Sequence, residues 1–233
     1  MIKIEHIEIW GFAHAIRGMR NPMNSWDKSD TIYGEYHGKD ENGNDIIVKY
    51  DAPQIGTNDA DLMRRLFMGG TEHRKFMRQI FVSMDITAPL YWWKEFDTYK
   101  VGTTANSCST MHKLMAKPFD IFDFSVDQMN NDAKAMMLKV IGFLNVQREM
   151  YLKSKDNHLQ GSKEFWWNII QMLPSSYNQK RTITMNYENA ASMISQRTGH
   201  KLEEWRVFVE HLQELPHMDT IVLGNWEKEG EEV

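Results

Sequence analysis

A single cysteine, Cys108, stands in 233 residues. An internal disulfide is excluded, a cysteine-based metal cluster has no ligands to draw on, and an intracellular chain is expected. No apolar run approaches the roughly 20 residues a membrane span requires. The opening Met-Ile-Lys-Ile-Glu-His lacks the apolar stretch of a signal peptide. A cytoplasmic location without a membrane partner is therefore the expectation, and no metal is implied. There is no excess of positive charge either. A formal net charge of −5 and an isoelectric point near 6.0 give no basic field, so no nucleic-acid partner is expected. No internal repeat and no linker is visible, so one domain is expected over residues 1–233.

What is present is the material of a globular core: 42% of residues are apolar and 25% charged, enough to bury a sizeable interior. Seventeen methionines and eight tryptophans add soft and flat side chains, which fill irregular cores and also suit pockets for planar ligands. Ile2 and Ile4, then Ile7 and Ile9, give an alternating strand with one slip, ending at Gly11. Phe12 to Arg20 reads as a short helix. Two β-rich runs flank Asn42-Gly43 and predict a hairpin excursion near residues 31–50. Thr57-Asn58-Asp59 caps a helix carrying Leu62, Met63, Leu66 and Phe67, which Gly69-Gly70 ends.

Phe76 to Ile86 reads as a strand ending before Ala88-Pro89. Helices follow over about Val126 to Lys153 and Asp156 to Met172, the first with Met136, Met137, Val140, Ile141 and Leu144 on an expected core face. Asn186 to Arg197 and the segment with Leu202, Trp205, Phe208 and Leu212 predict two last helices, before a frayed acidic tail at Glu227–Val233.

The stretch with the most chemistry runs from Ala88 to His112. It opens as an aromatic helix and turns at Gly102 into Gly-Thr-Thr-Ala-Asn-Ser-Cys-Ser-Thr, small groups that expose backbone N–H and supply hydroxyl donors. A loop that binds an anion or a heterocycle is one reading. An ordinary Ser/Thr-rich connection that caps the next helix is the other. Nucleophilic chemistry at Cys108 has no neighbouring base at an activating spacing.

Thr104-Ala105-Asn106-Ser107-Cys108-Ser109 resembles the second half of the R-H-R-x-x-S-x-N-x-x-S-x-R signature of the flavin-dependent thymidylate synthase family, with Thr104 for the first Ser. Pro89 to Phe96 is similar to the Pro-Ile-Phe-x-x-Arg-Gln-Trp that precedes it there. His73 falls where the family has the first His of G-H-x-S-P-F-E-H. Leu173-Pro174, the strand after it, and the step from Asn186 to Arg197 also resemble the family in order and separation. The likeness spans His73 to Trp205.

The resemblance implies an α/β (α+β) fold, a central mostly antiparallel sheet flanked by long helices, in a homotetramer whose sites are completed between chains. It implies FAD as cofactor, dUMP or a related pyrimidine nucleotide as substrate, NADPH and methylenetetrahydrofolate as co-substrates, and reductive transfer of a one-carbon unit to uracil C5. On this basis His73, Lys100, Thr104, Asn106 and Asn186 would bind the cofactor. Glu95, Ser107, Ser109 and Arg197 would meet the substrate, with Arg197 gripping the uracil and acting in catalysis. An ion pair from Arg197 to Glu203 or Glu204 is the bland alternative.

The departures lie among the arginines. R-H-R reads Thr98-Tyr99-Lys100 or Tyr99-Lys100-Val101, Met111-His112 replaces the last Arg, Glu188 and Ser192 replace an Arg and an Asn, and the helix before Pro174 has no basic residue in Phe165–Ile170. Lost charge-assisted contacts to phosphate are each worth about 1.5–3 kcal/mol. A catalytically silent nucleotide-binding or scaffold protein that keeps the fold is therefore the alternative function.

Overall fold

The slip in the first strand is a backbone feature. In the computed structural model, strand β1 (Lys3–Trp10) carries His6 at φ +53°, a left-handed residue that resets the alternation between Ile4 and Ile7. The structure describes residues 2–34, 36–39, 45–48, 53–111, 113–156 and 162–223. The Asn42-Gly43 turn, His112 and the acidic tail lie outside them.

After β1 come α1 (Phe12–Arg20), β2 (Tyr36–Lys39), β3 (Asp45–Val48), α2 (Thr57–Met68), β4 (Phe81–Pro89), α3 (Leu90–Phe96) and β5 (Thr103–Ser107). The rest comprises α4 (Asn131–Asp156), α5 (Ser162–Met172), β6 (Asn178–Asn186), α6 (Tyr187–Arg197) and α7 (Glu203–Gln213). β2 and β3 pair antiparallel from Tyr36↔Val48 to Lys39↔Asp45, the expected hairpin. The other strands form one antiparallel sheet in the order β1-β4-β6-β5. The fold class is thus α/β with an antiparallel sheet and long helices, as expected.

Two expectations change. The run from Phe76 to Ile86 is not all strand: Arg74–Gln79 forms a 3₁₀ helix and β4 starts only at Phe81. Phe76, Met77 and Ile80 are buried in either conformation, so apolar content did not separate them. The Ser/Thr-rich stretch read as a loop contains strand β5, whose Thr-Thr start suits an extended backbone.

By contact density the chain forms two compact units, each drawn from three separated segments. Unit 1 comprises Met1–Glu5, Asp85–Thr98 and Ala105–Thr182; unit 2 comprises His6–Met84, Tyr99–Thr104 and Ile183–Val233. Such interleaving leaves no linker to be seen in the sequence.

The core of unit 1 gathers Leu114, Phe119, Phe124, Met137, Ile141, Leu144 and Ile169, with α4 packed on α5. Met136, placed on the core face by periodicity, is instead 58% exposed. Trp93 is buried in this unit; its indole N–H donates to the Gln179 carbonyl (2.9 Å), and the Arg181 guanidinium lies 4.2 Å from its ring centroid. In unit 2, Phe12 meets Tyr187 and His217 edge to face at 5.5 Å each, and the Tyr187 hydroxyl donates to the Pro216 carbonyl (3.0 Å). Burial raises the Tyr187 pKa.

The first turn of α2 holds a buried polar centre in unit 2. Asp59 accepts from Arg20 Nε (2.6 Å), Ser29 Oγ (2.7 Å), Thr31 Oγ1 (2.7 Å) and the backbone N–H of Asp30 and Thr31. Burial pushes the Asp59 pKa up, but hydrogen bonds from Thr31, Ser29 and Arg20 outweigh it and hold the carboxyl below the usual range.

Candidate functional site

The site residues expected from sequence fall into two groups. His73, Lys100, Thr104, Asn186 and Arg197 belong to unit 2; Glu95, Asn106, Ser107 and Ser109 belong to unit 1.

In unit 2 the organising element is α6. Its N-cap is Asn186, whose Oδ1 accepts the Asn189 N–H at 3.0 Å. Asn189 Nδ2 in turn donates to the Val101 carbonyl (2.7 Å) and to Thr103 Oγ1 (2.9 Å), fastening the segment that leads into β5. Gly102 allows this closeness. Its φ is +73°, and a Cβ there would stand 2.6 Å from Asn186 Nδ2. Asn186 thus has a defined structural duty, and Lys100 and Thr104, two residues to either side of Gly102, are exposed.

At the other end of α6, Arg197 Nε donates to Tyr99 Oη (2.9 Å), and a terminal nitrogen lies 3.2 Å from His200 Nε2. Its guanidinium carbon is 4.5 Å from the Trp205 ring centroid and 5.5 Å from that of Tyr99. Tyr99 Oη donates to Gln196 Oε1 (2.9 Å), and Trp205, fully buried at the start of α7, is the floor. The half-buried arginine is therefore held by two aromatic rings and a hydroxyl, and each ring contact contributes roughly 0.5–2 kcal/mol. Such a fork can pair with a planar imide, a carboxylate or a phosphate.

Nothing local in the sequence pointed to this setting. Tyr99 occupies the stretch that resembled a degraded R-H-R. Trp205 read as an ordinary helix residue, and the partners suggested for Arg197 from sequence were Glu203 and Glu204, not Tyr99 or His200.

His73 is exposed and lies elsewhere in unit 2, lining a cavity of about 470 Å³ with Gly18, Asn21, Leu66, Lys75 and Gln79. Glu188, where an arginine was missed, is paired through both oxygens with Arg78, and that hydrogen bond raises the Arg78 pKa.

In unit 1, Asn106, Ser107 and Cys108 present exposed side chains. The backbone there is pinned: the Cys108 N–H donates to the Lys180 carbonyl (2.9 Å), and Gln179 Nε2 donates to the Cys108 carbonyl (2.7 Å). Ser109 Oγ accepts the Met111 N–H at 3.2 Å, the turn chemistry that the composition also allowed. Glu95 is half-buried on α3, and its carbonyl accepts the Thr98 hydroxyl (2.7 Å).

Among the described residues no group of acids, histidines or cysteine is placed to hold a metal ion. No helix among them is long and apolar enough to cross a membrane.

The fold is of the thymidylate synthase X kind, as comparison with solved structures shows. The chain is similar to thymidylate synthase X from Helicobacter pylori, solved with FAD and dUMP, at a TM-score of 0.63 and 16% identity, over 95% of this chain and 97% of that one. A second structure of that protein with the same two molecules gives 0.61 at 16% identity over the same shares. The UMP/dUMP methylase PolB from Streptomyces cacaoi, bound with 5-Br dUMP, gives 0.55 at 15% identity, over 91% of this chain and 88% of its own. No protein-family model and no curated protein matches the sequence.

Proposed function

We propose that this chain is a flavin-dependent thymidylate synthase-like protein that transfers a one-carbon unit reductively to C5 of a pyrimidine nucleotide, dUMP or a close relative. The observation that carries this reading is Arg197, held by contacts to Tyr99, Trp205 and His200. A planar fork fits the O–C–N edge of uracil and stabilises the negative charge that gathers there as C5 becomes nucleophilic. The fold likeness to proteins solved with dUMP or 5-Br dUMP supports the same choice.

The residues present fit FAD, with a weak hold on its diphosphate. Lys100 and Thr104 are exposed donors that would meet it, while the Asn186 amide also caps α6 and Arg78 is neutralised by Glu188. FAD would supply the reducing hydride, with NADPH and methylenetetrahydrofolate as co-substrates. FAD affinity is expected to be micromolar or weaker and to fall as salt rises.

One observation favours a second reading, a silent nucleotide-binding scaffold. A carboxylate, Glu188, stands where the family-like motif has an arginine, and its pairing with Arg78 leaves no net positive charge there for a diphosphate. Thermal melts of wild type and Arg197→Lys, each with and without dUMP and FAD, separate these possibilities. The enzyme reading expects a ligand-induced rise in Tm that Arg197→Lys abolishes with folding nearly intact, and a yellow protein after loading with FAD. An identical ligand-induced rise in both proteins removes Arg197 from the site. A wild type that binds dUMP but never takes up FAD supports the scaffold.

A further inference from the structure

A cavity of about 870 Å³ lies in unit 1 beside the end of α4 and the start of α5, bordered by Met111, whose backbone N–H donates to Ser109 Oγ. Its wall has a distinctive chemistry. Three lysines, Lys113, Lys155 and Lys163, share it with Tyr151, Trp166 and Trp167, and among the described residues no carboxylate lines it. None of the three lysines has an ion-pair partner among the described residues. Lys153, in the same helical turn as Lys155, does pair with Glu149.

A cation at the end of α4 has an ordinary explanation, since lysine in a last turn offsets the helix dipole. That account fails for Lys163, which sits in the first turn of the 11-residue α5, where the dipole disfavours positive charge. Lys113 comes from a third segment. Three lysines thus meet at one cavity, one of them in the first turn of a helix that also holds Glu164, and an incoming anion would offset their charge.

The aromatic groups narrow the ligand class. Trp167 is 49% exposed, and it meets Trp166 edge to face at 4.7 Å. Trp166 is fixed by its indole N–H, which donates to the Met111 carbonyl at 3.3 Å. A fixed pair of large rings beside free ammonium groups can stack a heterocycle while the lysines take its phosphates. Three lysines match more charge than one phosphate carries.

We propose that this cavity binds a nucleoside di- or triphosphate. The site uses none of the residues around Arg197 and stands independently of the reading given for them.

The test is titration of the full-length protein with ADP, dUMP, adenosine and inorganic pyrophosphate, followed by tryptophan fluorescence and calorimetry. ADP is expected to quench the fluorescence saturably, and adenosine, pyrophosphate and dUMP are each expected to bind at least several-fold more weakly. The triple variant Lys113→Gln/Lys155→Gln/Lys163→Gln should bind ADP on the order of tenfold or more weakly. Trp167→Leu should lose part of the quenching as well as affinity, and Arg197→Lys should leave ADP binding unchanged. Lys163→Glu should weaken ADP binding and raise the Tm of the unliganded protein, because it reverses an unfavourable charge at a helix start. The proposal is overturned by no saturable ADP binding up to millimolar concentration, by pyrophosphate matching ADP, or by a folded triple variant that binds like wild type.

Discussion

Single residues carry two of the clearest stability expectations. Gly102 combines a φ of +73° with a Cβ position already crowded by Asn186 and Asn189. Gly102→Ala should cost about 1–2 kcal/mol for the backbone alone, with more from the contact, and a urea midpoint would read it. Asp59 is fully buried and accepts five hydrogen bonds. Asp59→Asn leaves the Arg20 guanidinium buried without its carboxylate and should cost about 3–5 kcal/mol. The sign of the pH effect follows from the lowered Asp59 pKa. The ion pair contributes fully above the ordinary carboxylate value of about 4 and is lost as pH falls through the folded value. Between pH 7 and pH 3 wild type should therefore lose more stability than Asp59→Asn does. Equal losses would show that Asp59 is not the group responsible.

At the level of elements, α6 ties the chain segment before β5 to its own first turn. Asn186→Ala removes the N-cap and should cost about 1 kcal/mol, with faster amide exchange in the first turn of α6 and across Tyr99–Thr104. If exchange quickens in α6 alone, the cap and the segment are not coupled. Helices α1, α2, α6 and α7 were legible from their apolar spacing, and α1 has the bounds Phe12–Arg20 in the sequence and in the structure. The Thr57-Asn58-Asp59 cap was not borne out, because α2 already begins at Thr57 behind Gly56 and the Asp59 carboxylate is taken by Arg20, Ser29 and Thr31. β5 was hidden by its composition, since threonine, asparagine and serine serve loops and edge strands alike. The 3₁₀ turn before β4 was hidden because Phe76, Met77 and Ile80 are buried whichever way the backbone runs. Arg197 could be singled out from its resemblance alone. Its aromatic setting could not, because Tyr99 lies 98 residues away in the chain and meets it only through folding. The lysines of the unit 1 cavity went unnoticed for the same reason, being spread over three segments.

For the whole molecule, α4 bears on assembly. It buries Met137, Ile141 and Leu144 but leaves Met136, Leu138, Phe143, Val146 and Met150 between 40% and 58% exposed. Apolar surface of that extent on a helix is the mark of an interaction face, and a homotetramer is the expected occupant. Light scattering should give four chains per particle, and Leu138→Glu with Val146→Glu should shift it toward smaller species while the helical signal is kept. A wild-type monomer at micromolar concentration would remove the shared-site arrangement. The two interleaved units add a consequence for synthesis. Unit 1 has all its segments once Thr182 has been made, whereas unit 2 must wait for Ile183 onward, which brings α6, α7 and Arg197. On the ribosome the lysine-lined cavity can therefore form while the arginine site does not yet exist, and the long segment His6–Met84 must stay unaggregated until the last fifth of the chain arrives to complete its core.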